Sequence, residues 1–490
     1  MSLLGLPNEL LLEIISKHLY KEREIYAFIR ANRRLYSLGR QELYRWNAAY
    51  DNSSAVHVAA ETGNLETVAY AYEHGGAVLE APHTRYGGAT PLHLASRAGH
   101  VEIVDFLLAN NVEVNTRAGR DGTALSEAAQ HGHSAVVERL LAVDGIDPAM
   151  TDSSRLSPLW WACRGGHLRI VQALLCQEGV DPNSACIDNK TPLFVAASRN
   201  HADVVETLLA DDRVDPNLIA GLAVTALMMA CKEGYEQSVR ALLASPKTDV
   251  QLEVYGRRAL FHAVEESHAG IVDLLLDHGA EIEATDDSGQ TALSLAARNG
   301  LAKMAYHLIT RGADPSPANA RGYTPLCWAA HANSASIIKI LLEDPRVDAN
   351  HVTGTGTRPM HLAAINASEA LEYFLQRDEV DVNCQDGIGR TPLMLAVGNA
   401  RLCHIEALLA NERIDVNIQS KNGDTALLRA VGRGRRGVVK ALLAHPKIIV
   451  LDREGRAALS QAKGEGDQEI VEMLVAAGVK ELSSPLDQAL

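Results

Sequence analysis

From residue 54 onward, the apolar positions of this 490-residue chain gather into short clusters that return at a fixed interval. Aligned on TPLHLASRAGH (90–100), the first position recurs at Ser54, Thr90, Thr123, Ser157, Thr191, Thr225, Arg258, Thr291, Thr324, Arg358, Thr391, Thr425 and Ala457. These thirteen starts lie about 34 residues apart, the kind of period that marks a stacked repeat architecture. Each step predicts two short helices. Thr or Ser opens the first as an N-cap whose hydroxyl can take up an orphan backbone N–H. Pro91, Pro158, Pro192, Pro325, Pro359 and Pro392 follow at the first helical position, where the missing N–H costs nothing. Leu and paired Ala give a narrow apolar face. Nine residues after the cap stands Gly (63, 99, 132, 166, 234, 300, 434 and 466) or Asn (200, 333), residues that tolerate a left-handed helix end. The second helix carries a double leucine, as in Leu107–Leu108, Leu140–Leu141, Leu174–Leu175 and Leu208–Leu209. Polar turns close each step: VDPN at 180–183 and 214–217, VDVN at 380–383, IDVN at 414–417.

TPLH at 90–93 with Gly99 and His100, repeated in phase, resembles the ankyrin repeat over roughly residues 54–480. The resemblance implies an all-α dominated solenoid of helix-turn-helix units with projecting β-hairpin loops. It divides the chain into a helical segment at 1–50, an array of about thirteen units at 51–480 and a tail at 481–490. With helix layers ~10 Å apart, such an array would form a curved rod on the order of 130 Å. Some joints depart from the pattern. Ser267, Ala367 and Ala400 replace the turn Gly, Arg258, Arg358 and Ala457 replace the cap, and Phe374–Leu375 comes one residue early.

The front segment is unrepeated. In LPNELLLEIISKHL (6–19), Leu10, Leu11, Ile14, Ile15 and Leu19 make one broad apolar face, and helical patterns continue at 23–38 and 42–48. On the residues alone this is a cap shielding the first repeat, as solenoid ends require. LPxEL followed by Ile14, Leu19, Ile25 and then Ala31, Asn32, Arg33 and Leu35 also resembles an F-box. That resemblance implies a partner: the Skp-type linker of a cullin–RING ubiquitin ligase, gripped through Leu6, Pro7, Leu10 and Ile14, while the array captures a folded protein substrate. A ligase adaptor and a plain interaction scaffold are therefore the two functions to weigh, with an enzyme a distant third.

Composition sharpens this picture. Aromatics are only 4% of residues, so the core must be aliphatic. The net charge of −15 speaks against a nucleic-acid surface. Residues 1–50 are net +3 and the rest −18, which sets the front apart from the body. Seven cysteines without metal-ligand spacing read as thiols of a reducing compartment, with Cys163 and Cys231 as small core residues. Glu9 and Glu13 interrupt the first apolar run, which argues against a secretory signal, and no stretch is long enough to span a bilayer. The expected location is cytoplasm or nucleus. GRGRRG (432–437) has the spacing of a phosphate loop but falls in an inter-helix turn. No nucleophile elbow, HExxH or carboxylate pair appears, and no cofactor or metal is expected.

The binding row is expected seven and eight residues after each cap, which in ankyrin proteins lines the concave face: Arg97, His131, Arg164, Arg199, Lys232 and Arg298. The alternative is that cations near a helix C-terminus simply complement its dipole. Trp160 and Phe194 replace the His of TPLH and are expected as half-exposed interface anchors, whereas Trp161 and Trp328, one position on, are expected in the core.

Overall fold

The computed structural model describes residue 11 and residues 33–51, 53–119, 121–221, 223–366, 368–399, 401–450 and 453–479. Leu6, Pro7, Leu10 and Ile14, the residues of the linker expectation, lie outside them, as do Ala367 and Ala400. The chain forms two compact units, Met1–Leu252 and Glu253–Leu490. After a helix at Arg33–Tyr50, six helix pairs fill the first unit and seven the second, from Ser54–Thr62 with Leu65–Gly75 to Arg453–Glu465 with Gln468–Ala476. No strand forms among the described residues; single antiparallel bridges such as Ala118–Gly122 and Ala220–Val224 close the hairpin turns.

Most of these helices are six to nine residues long, too short to persist alone. Four devices hold them, and each can be traced to a repeated residue. The first is the cap. Thr123, Ser157, Thr191, Thr225, Thr324 and Thr425 accept the N–H three residues on, at 3.1–3.3 Å. Where Arg358 replaces the cap, its backbone N–H donates to His361 Nδ1 at 3.1 Å. Arg258 makes no side-chain cap bond and pairs with Glu253 at 2.7 Å instead.

The second device is the turn between the two helices. Every described residue at the ninth position is left-handed, from Gly99 (φ 79°) to Asn200 (60°), Ser267 (62°) and Asn333 (56°). In the first unit the glycine also makes room. A Cβ on Gly99 would sit 2.5 Å from His133 Nδ1, because that imidazole reaches back across the turn to bond Arg97 O at 2.9 Å. His100, His167 and His201 repeat the reach, to Glu61 O, Gln130 O and Arg164 O.

The third device explains the VDPN turns. Asp181 Oδ1 accepts Asn183 N–H, fixing its own turn, and Asn183 then splices to the next one. Its Nδ2 donates to Arg213 O at 2.7 Å and its Oδ1 accepts Asp215 N–H at 2.9 Å. Asn115, Asn217, Asn350, Asn383 and Asn417 make the same two bonds. The fourth device is burial. Val104 with Leu107, Val137 with Leu140, Val171 with Leu174 and Ile338 with Leu341 are fully buried, each side chain worth roughly 1.5–3 kcal/mol. The first of each double leucine is sealed, whereas the second varies: Leu108 and Leu175 are half-buried and Leu243 is buried.

Two expected starts are displaced. Ser54 lies inside its helix, with Ser53 as the N-cap, because its hydroxyl is tied to Asn47 and Asp51. The last pair begins at Arg453, so Ala457 is helix interior rather than a cap. Phe374, one residue early in the sequence, is fully buried where other pairs bury Leu.

The turn glycines generate a paired test. Gly300 is left-handed (φ 70°) with nothing near its missing Cβ, so Gly300→Ala should cost only the conformational term of about 1–2 kcal/mol. Gly99→Ala must also displace His133 and should cost clearly more, while Ser267→Gly should stabilise by about 1 kcal/mol. Denaturant titration of the three variants reads the order; equal losses at Gly99 and Gly300 would remove the His contact from the account.

Burial also holds His57, His93 and His361 below the ordinary imidazole value of 6.5. The unfolded chain then binds protons more readily, so their stability contribution is complete above pH 6.5 and is lost as pH falls below it. Melting at pH 7.5 and 5.5 should show a drop that is smaller in His93→Asn and His361→Asn; an identical drop in both variants would place the titration elsewhere.

Candidate protein-interaction surface

The fourth residue of each step decides what the first helix can present. His93 Nε2 lies 3.1 Å from Thr116 O and 3.3 Å from Gly122 O, and His361 Nε2 lies 2.9 Å from Arg390 O. These rings tie a helix to the next hairpin turn. Trp160 does the same: its Nε1–H donates to Lys190 O at 3.0 Å. Trp160 is 7% exposed and Phe194 3%, which corrects the expectation of half-exposed anchors. The indole takes the place of the His ring, its N–H turned to the Lys190 carbonyl instead of to solvent.

The next position behaves in the opposite way. Trp161 and Trp328, expected in the core, are half-buried and form the walls of clefts. In the first unit a cleft of about 430 Å³ lies between the Ala118–Gly122 turn and the helices carrying Arg97, Glu127, His131 and Trp161. Arg97 grips Glu127 through two bonds of 2.9 and 2.8 Å, and Asp152 is spent on the N–H groups of Ser154 and Leu156. The carboxylates here are thus already occupied. Arg164 is exposed, its guanidinium 5.3 Å from the Trp161 ring centroid.

In the second unit the matching cleft, about 470 Å³, is lined by Arg321, Tyr323, Trp328, His331, Gly354 and Thr355. Tyr323 and Trp328 pack with centroids 5.0 Å apart, and Arg298 lies 5.6 Å from the Trp328 ring. Arg199, Lys232, His131 and Arg298 are exposed. Trp161, Trp328, Tyr323 and Arg321 were missed by the sequence reading. A signal existed: Glu127 and Arg429 occupy the same register as the two tryptophans, so that position is not sealed.

Other candidate chemistry resolves into structure. Gly434 (φ 61°) turns the GRGRRG segment between two helices, and Arg436 pairs with Asp467 and Glu469. Cys163 and Cys231 are fully buried, and burial pushes both thiols up; Cys384 is pushed up to about 12. Among the described residues no group of three His, Cys, Asp or Glu side chains is placed to hold a metal. No described helix is long and apolar enough to cross a membrane.

Stacked pairs of short helices, with clefts opening between turn tips and helix ends, define a repeat scaffold for macromolecular recognition. The chain belongs to the ankyrin-repeat family, whose model, ankyrin repeats (3 copies), matches residues 31–118, 125–220, 213–286, 283–352, 333–420 and 393–483. Ankyrin repeats bind protein partners, and this array is a protein-interaction scaffold. It is similar to the neurogenic locus Notch protein of Drosophila melanogaster, 40% identical over 101 residues, 20% of this chain and 4% of that protein. A probable E3 ubiquitin-protein ligase of Oryza sativa subsp. japonica, XBOS32, is 40% identical over 84 residues, 17% of this chain and 16% of that one. Matched stretches thus span only a small part of these relatives. The crystal structure of the human ASB11 ankyrin repeat domain is 27% identical, with a TM-score of 0.42, covering 46% of this chain and 100% of that domain.

Trp160→Phe should lower stability by about 1 kcal/mol through loss of the Lys190 bond, and Trp160→Ala by about 3–5 kcal/mol through loss of the ring as well. Denaturation midpoints check both; a Trp160→Phe midpoint equal to wild type would mean the indole bond contributes nothing.

Proposed function

We propose that the chain is a non-catalytic substrate-recognition adaptor of a cullin–RING ubiquitin ligase, working in the cytoplasm or nucleus. The observation that carries this reading is the order LPxEL, Ile14, Leu19, Ile25, Ala31–Arg33 and Leu35 in a segment that nothing in the array repeats. One end of the chain would grip the Skp-type linker through Leu6, Pro7, Leu10 and Ile14, and the ankyrin array would hold a folded protein substrate. A charge difference of +3 against −18 between the two parts supports separate tasks for them. The rice relative's name points in the same direction.

A second reading, a scaffold whose front helices only cap the array, draws on a different observation. The helix Arg33–Tyr50 packs on Leu65–Gly75, with Arg40 bonded to Glu66 at 3.0 Å and its guanidinium 4.0 Å from the Tyr70 ring centroid. Tyr44 lies 5.6 Å from Tyr70, and the family match begins at residue 31. The back of the front segment therefore serves the array whatever the preceding residues do.

Capture on immobilised purified linker–cullin complex separates the two. The full chain should be retained, Leu10→Asp with Ile14→Asp should reduce affinity a hundredfold or more, and Pro7→Ser should weaken capture without moving the melting temperature. A wild-type chain that is not retained at all would leave the cap as the function of these residues.

A further inference from the structure

We propose that the cleft beside Trp328 in the second unit is a docking site for an extended acidic peptide segment of a partner protein, with Arg298 and Arg321 pairing its carboxylates. This deepens the scaffold reading and rests on the array being the part that binds partners.

Arginines in this unit are mostly engaged: Arg257 with Glu265, Arg311 with Asp273 and Asp277, Arg346 with Asp344, Arg358 with Asp381, Arg390 with Asp386. That is the expected state in a chain where 61 acidic residues face 46 basic ones. Arg298 and Arg321 are both exposed and make no ion pair among the described residues, yet they flank one cleft. Of the carboxylates in nearby steps, Glu265 is committed to Arg257 and Asp386 to Arg390. His331, also exposed, adds a third nitrogen base to the rim. The cleft is thus a basic spot on an acidic protein. Guanidinium groups match carboxylates in a bidentate fork, which favours an acidic side chain over a neutral one.

The floor supplies the second half. Trp328 and Tyr323 form an aromatic surface, and Trp328 Nε1–H is buried with no acceptor. That N–H is shut off from solvent, so the floor offers an arriving segment ring surface and no donor. The opposite wall is main chain: Gly354 N–H donates to Arg321 O at 3.0 Å, holding adjacent turn tips together. A cleft of about 470 Å³ between an aromatic floor and a backbone wall suits a short extended segment rather than a helix. The equivalent cleft of the first unit differs in the way that matters, since Arg97 there is consumed by Glu127.

The test uses the full chain and a displayed library of random heptapeptides, selected in parallel on wild type and on Arg298→Ala/Arg321→Ala. Wild type should enrich peptides carrying Asp or Glu beside an apolar residue, and the double variant should bind the best of them at least tenfold more weakly with an unchanged melting curve. Arg298→Glu/Arg321→Glu should turn the selection toward Lys and Arg. Selected peptides without acidic enrichment, or the same peptides bound equally by the double variant, would overturn the proposal. Because the assay contains no ligase component, its outcome is independent of whether the front segment captures the linker; a chain that captures linker but selects no acidic peptide sinks this inference alone.

Discussion

One interaction governs this architecture: a side-chain amide that satisfies two backbone groups of the following turn. Asn183 occupies both Arg213 O and Asp215 N–H, and Asn217 both Lys247 O and Asp249 N–H. Helices of eight residues nucleate poorly and hold few internal bonds, so they depend on neighbours to fix their ends. The amide does this without a strand, and among the described residues the hairpin turns carry only isolated bridges. It also makes stability a sum of neighbour terms, since each splice reaches one step and no further. Where Asn is absent the substitutes do half the work: Glu80 and Glu283 each accept one N–H, and Ser316 donates to one carbonyl.

Much of this was legible because each device needs a particular residue at a particular step. A Thr that must accept an N–H, a residue that must turn left-handed and a Val–Leu pair that must be buried leave a period in the sequence, and the structure returns that period. The turn position was readable even through substitution, for Asn200, Ser267 and Asn333 all adopt the left-handed conformation expected of Gly. What the turn Asn and Asp do was less legible. As turn formers they were correctly placed, but composition cannot say that the Asn amide belongs to the next turn rather than its own.

The site was read less well, and the reason lies in two adjacent positions. A large apolar residue replacing a polar one looks like an anchor meant for a partner. Trp160 is instead the one aromatic that keeps a ring N–H in the place of His, and Lys190 O takes it. Phe194 keeps only the ring and is buried too. One residue on, Trp161 and Trp328 replace Leu and look internal, yet the clefts open beside them. The hydrophobicity of a side chain does not distinguish a floor from a core when the helix offers both faces within one residue.

This division of labour bears on how such a surface can specify partners. Structural duties fall on caps, turn residues, fourth-position rings and splicing amides, all of which point between neighbouring steps. Residues at the turn tips and late in the first helices carry few of these bonds. Several are large and apolar at the tips: Ile187, Ile219, Val352, Ile388 and Tyr255, the last 83% exposed. An interface needs apolar contact at its centre and charge to fix register, and each unit exposes side chains of both kinds at these positions. Because the scaffold is closed without them, they can vary without unfolding their neighbours, and the specificity of the array is written where the structure asks least of the sequence.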